Sequence, residues 1–344
     1  MKVLFDIGHP KDVNVFKGVI SELNDKGHEV QVFARAKENT RRMLDDLGIE
    51  YHLCNYYSHI LGKALGIPIN DYRLYKFSKD FKPDIFVSPG SPYSAHVSRL
   101  LGKPHIAFPD TEIAGIVMKL TFPFTDKIYT STSFFIDLGP KQERFEGYYE
   151  MAYLHPKYFT PNESVLDKYE LTDDYIVLRL SALGSHHDVG ARGFNFESED
   201  DLQNLITVLE RYGRVIIFSE IDDWQLIEKH RLNINPKDLH DILYFAKMYI
   251  GEGATMASES AILGVPSIYV SNTKRGYLNE LESKYDLVYT IEDKNVAIQK
   301  AESLFEDSDL NLKWQEKSQH LYNNTVDIVE FIVGAIEKTL EIGK

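Results

Sequence analysis

The sequence has one cysteine, Cys54, among 344 residues. A single thiol can neither close an internal disulfide nor build a cysteine-based zinc site. The expectation is a chain that folds without staples in a reducing, cytoplasmic setting. No stretch approaches the ~20 consecutive apolar residues of a membrane span. The apolar run at Met1–Ile7 is too short for a signal peptide and is interrupted by Asp6. Positive charge is scarce: 38 Lys and Arg face 52 Asp and Glu, a formal net charge of −14. That balance argues against gripping a nucleic-acid backbone over a wide surface. It leaves room for a small phosphate-bearing ligand, because helix ends and backbone amides bind anions without net positive charge.

What is present is ordinary globular composition, 43% hydrophobic and 26% charged. At ~150 residues per domain, the length suggests two domains. Short apolar runs alternate with helical spacing throughout. Strands are expected at Lys2–Ile7, Glu29–Ala34, Ile49–Leu53, Asp84–Ser88, Pro104–Phe108 and Lys127–Thr130. The pattern restarts with strands at Tyr175–Leu180, Arg214–Phe218, Met248–Ile250, Ser267–Val270 and Leu287–Thr290. Helices are expected at about 37–47, 201–212, 236–246, 255–263, 294–305, 311–322 and 326–340. Strands alternating with helices predict parallel sheets covered on both faces. The segment between the halves, 155–162, carries Pro156 and Pro161 and reads as a linker. The expected architecture is therefore α/β. A Rossmann-like domain over 1–158 faces a second over 159–325 across a cleft, and a last helix, 326–344, crosses back. Ligands of such folds sit at the strand carboxyl ends.

Residues 239–270 read LHDILYFAKMYIGEGATMASESAILGVPSIYV and carry the most chemistry. A strand ends at Gly251-Glu252-Gly253, and a helix opens at Ala254-Thr255-Met256. The glycines let backbone approach a ligand closely. The free amides of Ala254, Thr255 and Met256 lie where the helix dipole favours an anion. Thr255 adds a hydroxyl, and Glu259, one turn on, is placed to reach ribose hydroxyls. An ordinary tight strand–helix turn is the competing reading, since this segment has neither the G-x-G-x-x-G spacing nor a Walker lysine.

This stretch resembles the donor-nucleotide signature of GT-B glycosyltransferases, especially the peptidoglycan N-acetylglucosaminyltransferase type. It also resembles that of the non-hydrolysing UDP-N-acetylglucosamine 2-epimerases. Thr255, Glu259, Gly264 and Pro266 match the pattern. The whole chain resembles more closely a family of GT-B-like proteins catalogued as a domain of unknown function. The marks are Phe5-Asp6-Ile7-Gly8-His9-Pro10-Lys11-Asp12-Val13, Gly27-His28-Glu29-Val30, Gly147-Tyr148-Tyr149-Glu150, Tyr153-Leu154-His155-Pro156 and the 251–266 segment. The resemblance implies a GT-B-like fold that acts on a nucleotide-sugar, with no cofactor and no metal required.

It also points to further positions. His9, past the first strand, sits where inverting GT-B enzymes place the base that deprotonates an acceptor hydroxyl, and imidazole suits that task. The alternative is that His9 caps the turn. Asp110 and Glu112 lie past the fifth strand, where the epimerases hold a catalytic acid. Asp110 is a base in its own right or orients His9, and an N-cap with a first-turn acid is the competing reading. Arg179, Ser181 and His186 follow the first strand of the second half, where donor pyrophosphates are contacted. His186 and His187 point to opposite faces of an extended chain and are poorly placed to chelate one ion. Residues 51–81 are rich in aromatics, read as core and rim packing of a loop or as an acceptor site. Nearby Lys63, Arg73, Lys76, Lys79 and Lys82 leave a lipid-linked acceptor and peripheral contact with the inner face of a membrane open.

The leading expectation is a nucleotide-sugar-dependent glycosyltransferase, moving a hexosyl or N-acetylhexosaminyl group in polysaccharide or glycoconjugate biosynthesis. A 2-epimerase is the alternative. Against it, the epimerase motif His-Gly-Asp-Thr is replaced by Val87-Ser88-Pro89-Gly90-Ser91, and Arg-Pro-Glu by His9-Pro10-Lys11. A third possibility is a non-catalytic nucleotide-sugar-binding protein.

Overall fold

The computed structural model describes residues 1–36, 38–54, 60–112, 115–171, 174–181, 192–221 and 224–342. The chain divides into two compact units. One comprises residues 1–153 with 326–344, and the other residues 154–325.

The first unit is built on seven strands: β1 (Lys2–Ile7), β2 (Glu29–Arg35), β3 (Tyr51–Cys54), β4 (Ile85–Ser88), β5 (His105–Ala107), β6 (Lys127–Ser131) and β7 (Gln142–Phe145). Their order is β3-β2-β1-β4-β5-β6-β7, and every pairing is parallel. Val3 pairs with Val30 on one side and with Ile85 on the other. The chain order reverses between β1 and β4, which is where such sheets open a crevice at the strand carboxyl ends. Both β1 and β4 are buried along nearly their whole length, as expected for strands covered on both faces.

Helices α1 (Pro10–Asp25), α2 (Glu38–Asp46), α3 (Ile60–Phe81), α4 (Pro92–Leu101) and α5 (Gly115–Thr121) make the crossovers. The C-terminal helix Ile328–Ile342 returns to this unit and packs on α1. A Cβ placed on Gly18 of α1 would lie 3.2 Å from Val329, so glycine is what permits the close approach. A run of aromatic rings, Phe5–Phe16–Phe108–Tyr129–Phe331, links β1, α1, β6 and the last helix at centroid distances of 5.2 to 6.2 Å.

Two elements differ from expectation. Strand β7 was not anticipated, because Gln142-Glu143-Arg144-Phe145 is mostly polar and its place at the sheet edge suits that. Much of the aromatic 51–81 stretch is helix, not loop. Gly62, Gly66 and Pro68 mask the periodicity of α3. Leu74 and Phe81 lie in its core, and Phe77 stacks on His52 at 4.8 Å.

The second unit has five parallel strands: β8 (Tyr175–Leu180), β9 (Arg214–Ser219), β10 (Met248–Gly251), β11 (Ser267–Val270) and β12 (Val288–Ile291). The order is β12-β11-β10-β8-β9, with the reversal between β8 and β10. Helix Ala254–Ile262 is buried from Ala257 onward. Gly264 ends that turn at φ +77°, a left-handed conformation that glycine adopts without a Cβ penalty. Trp314 Nε1 donates to Leu287 O at 2.8 Å and anchors helix Leu310–Asn323.

Ile332 of the C-terminal helix is fully buried. Ile332→Ala should destabilise the protein by roughly 2–5 kcal/mol through lost burial and a cavity. The measurement is urea unfolding followed by tryptophan-independent far-UV signal.

Candidate active site

In the first unit, the β1–α1 turn holds a dense charged cluster. His9 is the N-cap of α1. Its Nδ1 accepts from Lys11 N at 3.3 Å, while Asp12 Oδ2 accepts from Gly8 N at 2.9 Å and His9 N at 2.8 Å. The result is a reciprocal capping box. An Nδ1 that accepts an N–H fixes the proton of a neutral imidazole on Nε2. Lys11 Nζ sits 2.8 Å from Asp110 Oδ2 and 3.0 Å from Glu150 Oε1. Lys11 and Glu150 are both shielded from water.

These neighbours set the protonation states. Burial pushes the Asp110 carboxyl up, but the Lys11 ammonium, aided by His9, outweighs it and holds Asp110 below its ordinary range. Asp12 has no such ion pair among the described residues, and two amides and the charge of Arg35 only partly offset its burial. Burial and the Asp110 charge push it up to about 6. Tyr149 donates to Tyr129 O at 2.6 Å, and burial keeps its phenol protonated.

Next to this cluster, Arg35 Nη2 donates to Ser91 Oγ at 3.0 Å and faces Asp6 Oδ1 at 3.5 Å. Its guanidinium lies over the Tyr93 ring at 5.0 Å. A Cβ on Gly8 would fall 2.0 Å from Arg35 Nη1, so a side chain there would displace the guanidinium. The β4 turn carries no carboxylate. Ser88 Oγ accepts from Gly90 N and Ser91 N and meets His105 Nε2 at 2.9 Å. Burial lowers the His105 pKa to about 3, so that ring is neutral.

In the second unit, the β10 turn brings Gly251 and Gly253 against Arg179 at the end of β8. A Cβ on Gly251 would lie 2.6 Å from Arg179 Cβ, and one on Gly253 3.2 Å from Arg179 Cγ. Arg179 pairs with Glu220. Gly253 caps helix Ala254–Ile262 without a side-chain hydrogen bond, so among the described residues no side-chain cap is seen at the helix N-terminus. Tyr249 OH donates to Gly253 O at 2.9 Å and fixes the turn. Glu252 turns away from the helix end. Its carboxylate accepts from Ser181 N at 2.7 Å and Phe194 N at 2.8 Å. Glu259 is buried in the same helix and meets His240 Nε2 at 3.2 Å.

The geometry sorts the expected residues. His9 and Asp110 come together across Lys11. Glu112 diverges from them and is buried, with Phe135 N donating to its Oε1 at 3.4 Å. Arg179, Gly251, Gly253, Ala254, Thr255, Met256 and Glu259 share one strand-end region of the second unit. Ser181 adjoins it through Glu252. His186 lies outside the described residues. Sequence reasoning did not single out Lys11, Arg35, Glu150, Glu252 or His240 as site residues. Glu150 stands 139 positions from Lys11, and only its place in the Gly147–Glu150 mark hinted at it. Among the described residues, no three His, Cys, Asp or Glu side chains are grouped to hold a metal ion.

Two outcomes follow from this geometry. The folded Asp12 carboxyl binds its proton more tightly than the ordinary group, so its stabilising contribution is present at low pH. It is lost as pH rises from 3.8 to about 6. In Asp12→Asn that slope should flatten, as read from thermal midpoints across the window. Gly251→Ala should cost about 1–3 kcal/mol by overpacking against Arg179, as read from denaturant midpoints.

Comparison with known proteins agrees with this arrangement of elements. The uncharacterized protein MJ0665 of Methanocaldococcus jannaschii is 24% identical over 292 residues, covering 78% of this chain and 81% of that protein. The UDP-GlcNAc 2-epimerase of Methanocaldococcus jannaschii superposes with a TM-score of 0.70 at 15% identity, over 98% of this chain and 100% of that one. MurG of Acinetobacter baumannii superposes with a TM-score of 0.61 at 15% identity, again over 98% and 100%. The fold is thus of the GT-B type shared by glycosyltransferases and 2-epimerases. Residues 1–336 match the model of a protein family of unknown function, DUF354, and the chain belongs to that family.

Proposed function

We propose that the protein is a nucleotide-sugar-dependent glycosyltransferase, moving a hexosyl or N-acetylhexosaminyl group in polysaccharide or glycoconjugate biosynthesis. The observation that carries this reading is the helix end at Gly253. It is uncapped, it opens from a glycine turn packed on Arg179, and it bears Glu259 one turn in. The donor diphosphate would lie on the amides of Ala254, Thr255 and Met256. Its negative charge grows as the glycosidic bond to the donor breaks, so fixed dipoles there stabilise the transition state more than the ground state. Glu259 would take ribose hydroxyls. No cofactor or metal enters the scheme.

The first unit would supply the acceptor base. We assign that role to Asp110, because the cap leaves His9 with its proton on Nε2, as a donor. Lys11 favours the ionised form of Asp110 and holds its carboxyl below the ordinary range. A carboxylate of low pKa is a weak base, yet it suffices when the attacking hydroxyl acidifies late, as bond formation to the sugar proceeds. Glu112 and Ser181 are candidates through their neighbours only.

One observation favours a second reading, a 2-epimerase. Lys11 lies between two carboxylates, Asp110 and Glu150, a set able to pass protons. Against it, the β4 turn carries no acid.

UDP is the first nucleotide to test, since the structurally similar 2-epimerase is named for UDP-GlcNAc. Glu259→Ala should abolish the UDP-induced rise in melting temperature. Asp110→Asn should keep that rise and lose transfer by ~100-fold or more. An unchanged shift in Glu259→Ala would refute the donor site. Conversion of UDP-GlcNAc to its 2-epimer with no acceptor present would replace transferase by epimerase.

A further inference from the structure

The helical face formed by α3, α4 and α5 runs against the chain's overall charge. Among the side chains described on these helices, Arg73, Lys76, Lys79, Arg99 and Lys119 are exposed, against Asp80 alone of the carboxylates, in a protein of net charge −14. Apolar side chains stand exposed on the same helices and on the turn that follows α5. Ile116 is 78% exposed, Leu100 70% and Tyr72 67%, and Val117, Leu120 and Phe124 are also exposed.

These residues are gathered around one joint. His96 of α4 meets Asp71 of α3 at 2.9 Å and Leu120 O of α5 at 3.0 Å. The Phe124 ring stands edge-on to His96 at 5.1 Å. Tyr72 adjoins Asp71, and Arg99 and Leu100 lie one helical turn beyond His96. Lys119 neighbours Leu120. The joint therefore holds three short surfaces together as one apolar patch with cations beside it. Contiguous exposed apolar surface of this kind marks an interaction site more often than scattered single residues do.

We propose that this face docks on a lipid bilayer surface bearing anionic headgroups. An aqueous protein partner would be served by either charge sign. Apolar tips bordered by Lys and Arg, on a chain otherwise strongly acidic, match the boundary between acyl chains and anionic headgroups. The contact is peripheral, because no helix among the described residues is long and apolar enough to cross a membrane. Docking rests on this face alone and is independent of the donor reading.

The experiment is co-sedimentation of the full chain with phosphatidylcholine vesicles, with and without phosphatidylglycerol. Binding is expected only with phosphatidylglycerol, and should be released by high salt. Ile116→Ser with Leu120→Ser should remove binding. Arg99→Glu with Lys119→Glu should weaken it by roughly tenfold or more. All four positions are exposed, and unchanged far-UV circular dichroism and thermal midpoints would exclude misfolding. Absence of wild-type binding to anionic vesicles overturns the proposal. So does binding that survives both double variants. A concentration-dependent dimer in light scattering, abolished by the serine variants while vesicle binding is absent, would assign the face to a second copy of the chain instead.

Discussion

Parallel pairing is the constraint on which the rest depends. Every pairing in both sheets is parallel, so each successive strand returns through a crossover to the same starting edge. All strand carboxyl ends in a unit therefore lie along one edge. The chain order reverses once in each sheet, at β1/β4 and at β8/β10, and the crossovers diverge there. Asp6, Gly8, Arg35 and Ser91 gather at the first reversal, and Arg179, Gly251 and Gly253 at the second. Nothing about those residues individually requires them to meet. The backbone geometry brings them together.

The two reversals have been given opposite electrostatic characters. In the first unit the charges are side chains and they answer one another. Lys11 balances Asp110 and Glu150, and Arg35 faces Asp6. Asp12 is the least compensated member, and its raised proton affinity records that. In the second unit the favourable potential comes from backbone, an uncapped helix end with Glu252 directed elsewhere by two amide bonds. On the proposed function, that difference would let a chain of net charge −14 offer a place to an anion. The receptor would be a local dipole, effective within a turn, with distant surface carboxylates screened from it.

Legibility in the sequence followed the range of the interaction involved. Strands β1, β8 and β11 and the turn at Gly251–Thr255 were readable because short apolar runs and glycines are local signals. The capping role of His9 was also foreseeable, since a cap joins residues two or three apart. Helix α3 was obscured because Pro68 and two glycines interrupt its period, and the helix forms nonetheless because Leu74 and Phe81 bury against the sheet. Strand β7 was hidden by its polar composition, which only its edge position explains. Lys11 with Glu150, and His240 with Glu259, are pairs whose members carry no mutual signal along the chain.

By itself the sequence determined the alternating α/β character, the glycine turn before a helix bearing Glu259, and the kinship with the GT-B-like family. Each of these rests on spacing over a few residues or on motifs repeated along the chain. Only the tertiary structure decided which charges face which: that Asp110 is held by Lys11 while Glu112 turns to Phe135, that His9 spends Nδ1 on its cap, and that α3, α4 and α5 join at His96. The physical reason is that proton affinity, ion pairing and patch formation depend on distances of a few ångströms between residues far apart in sequence. Those distances are set by the order of strands in the sheets.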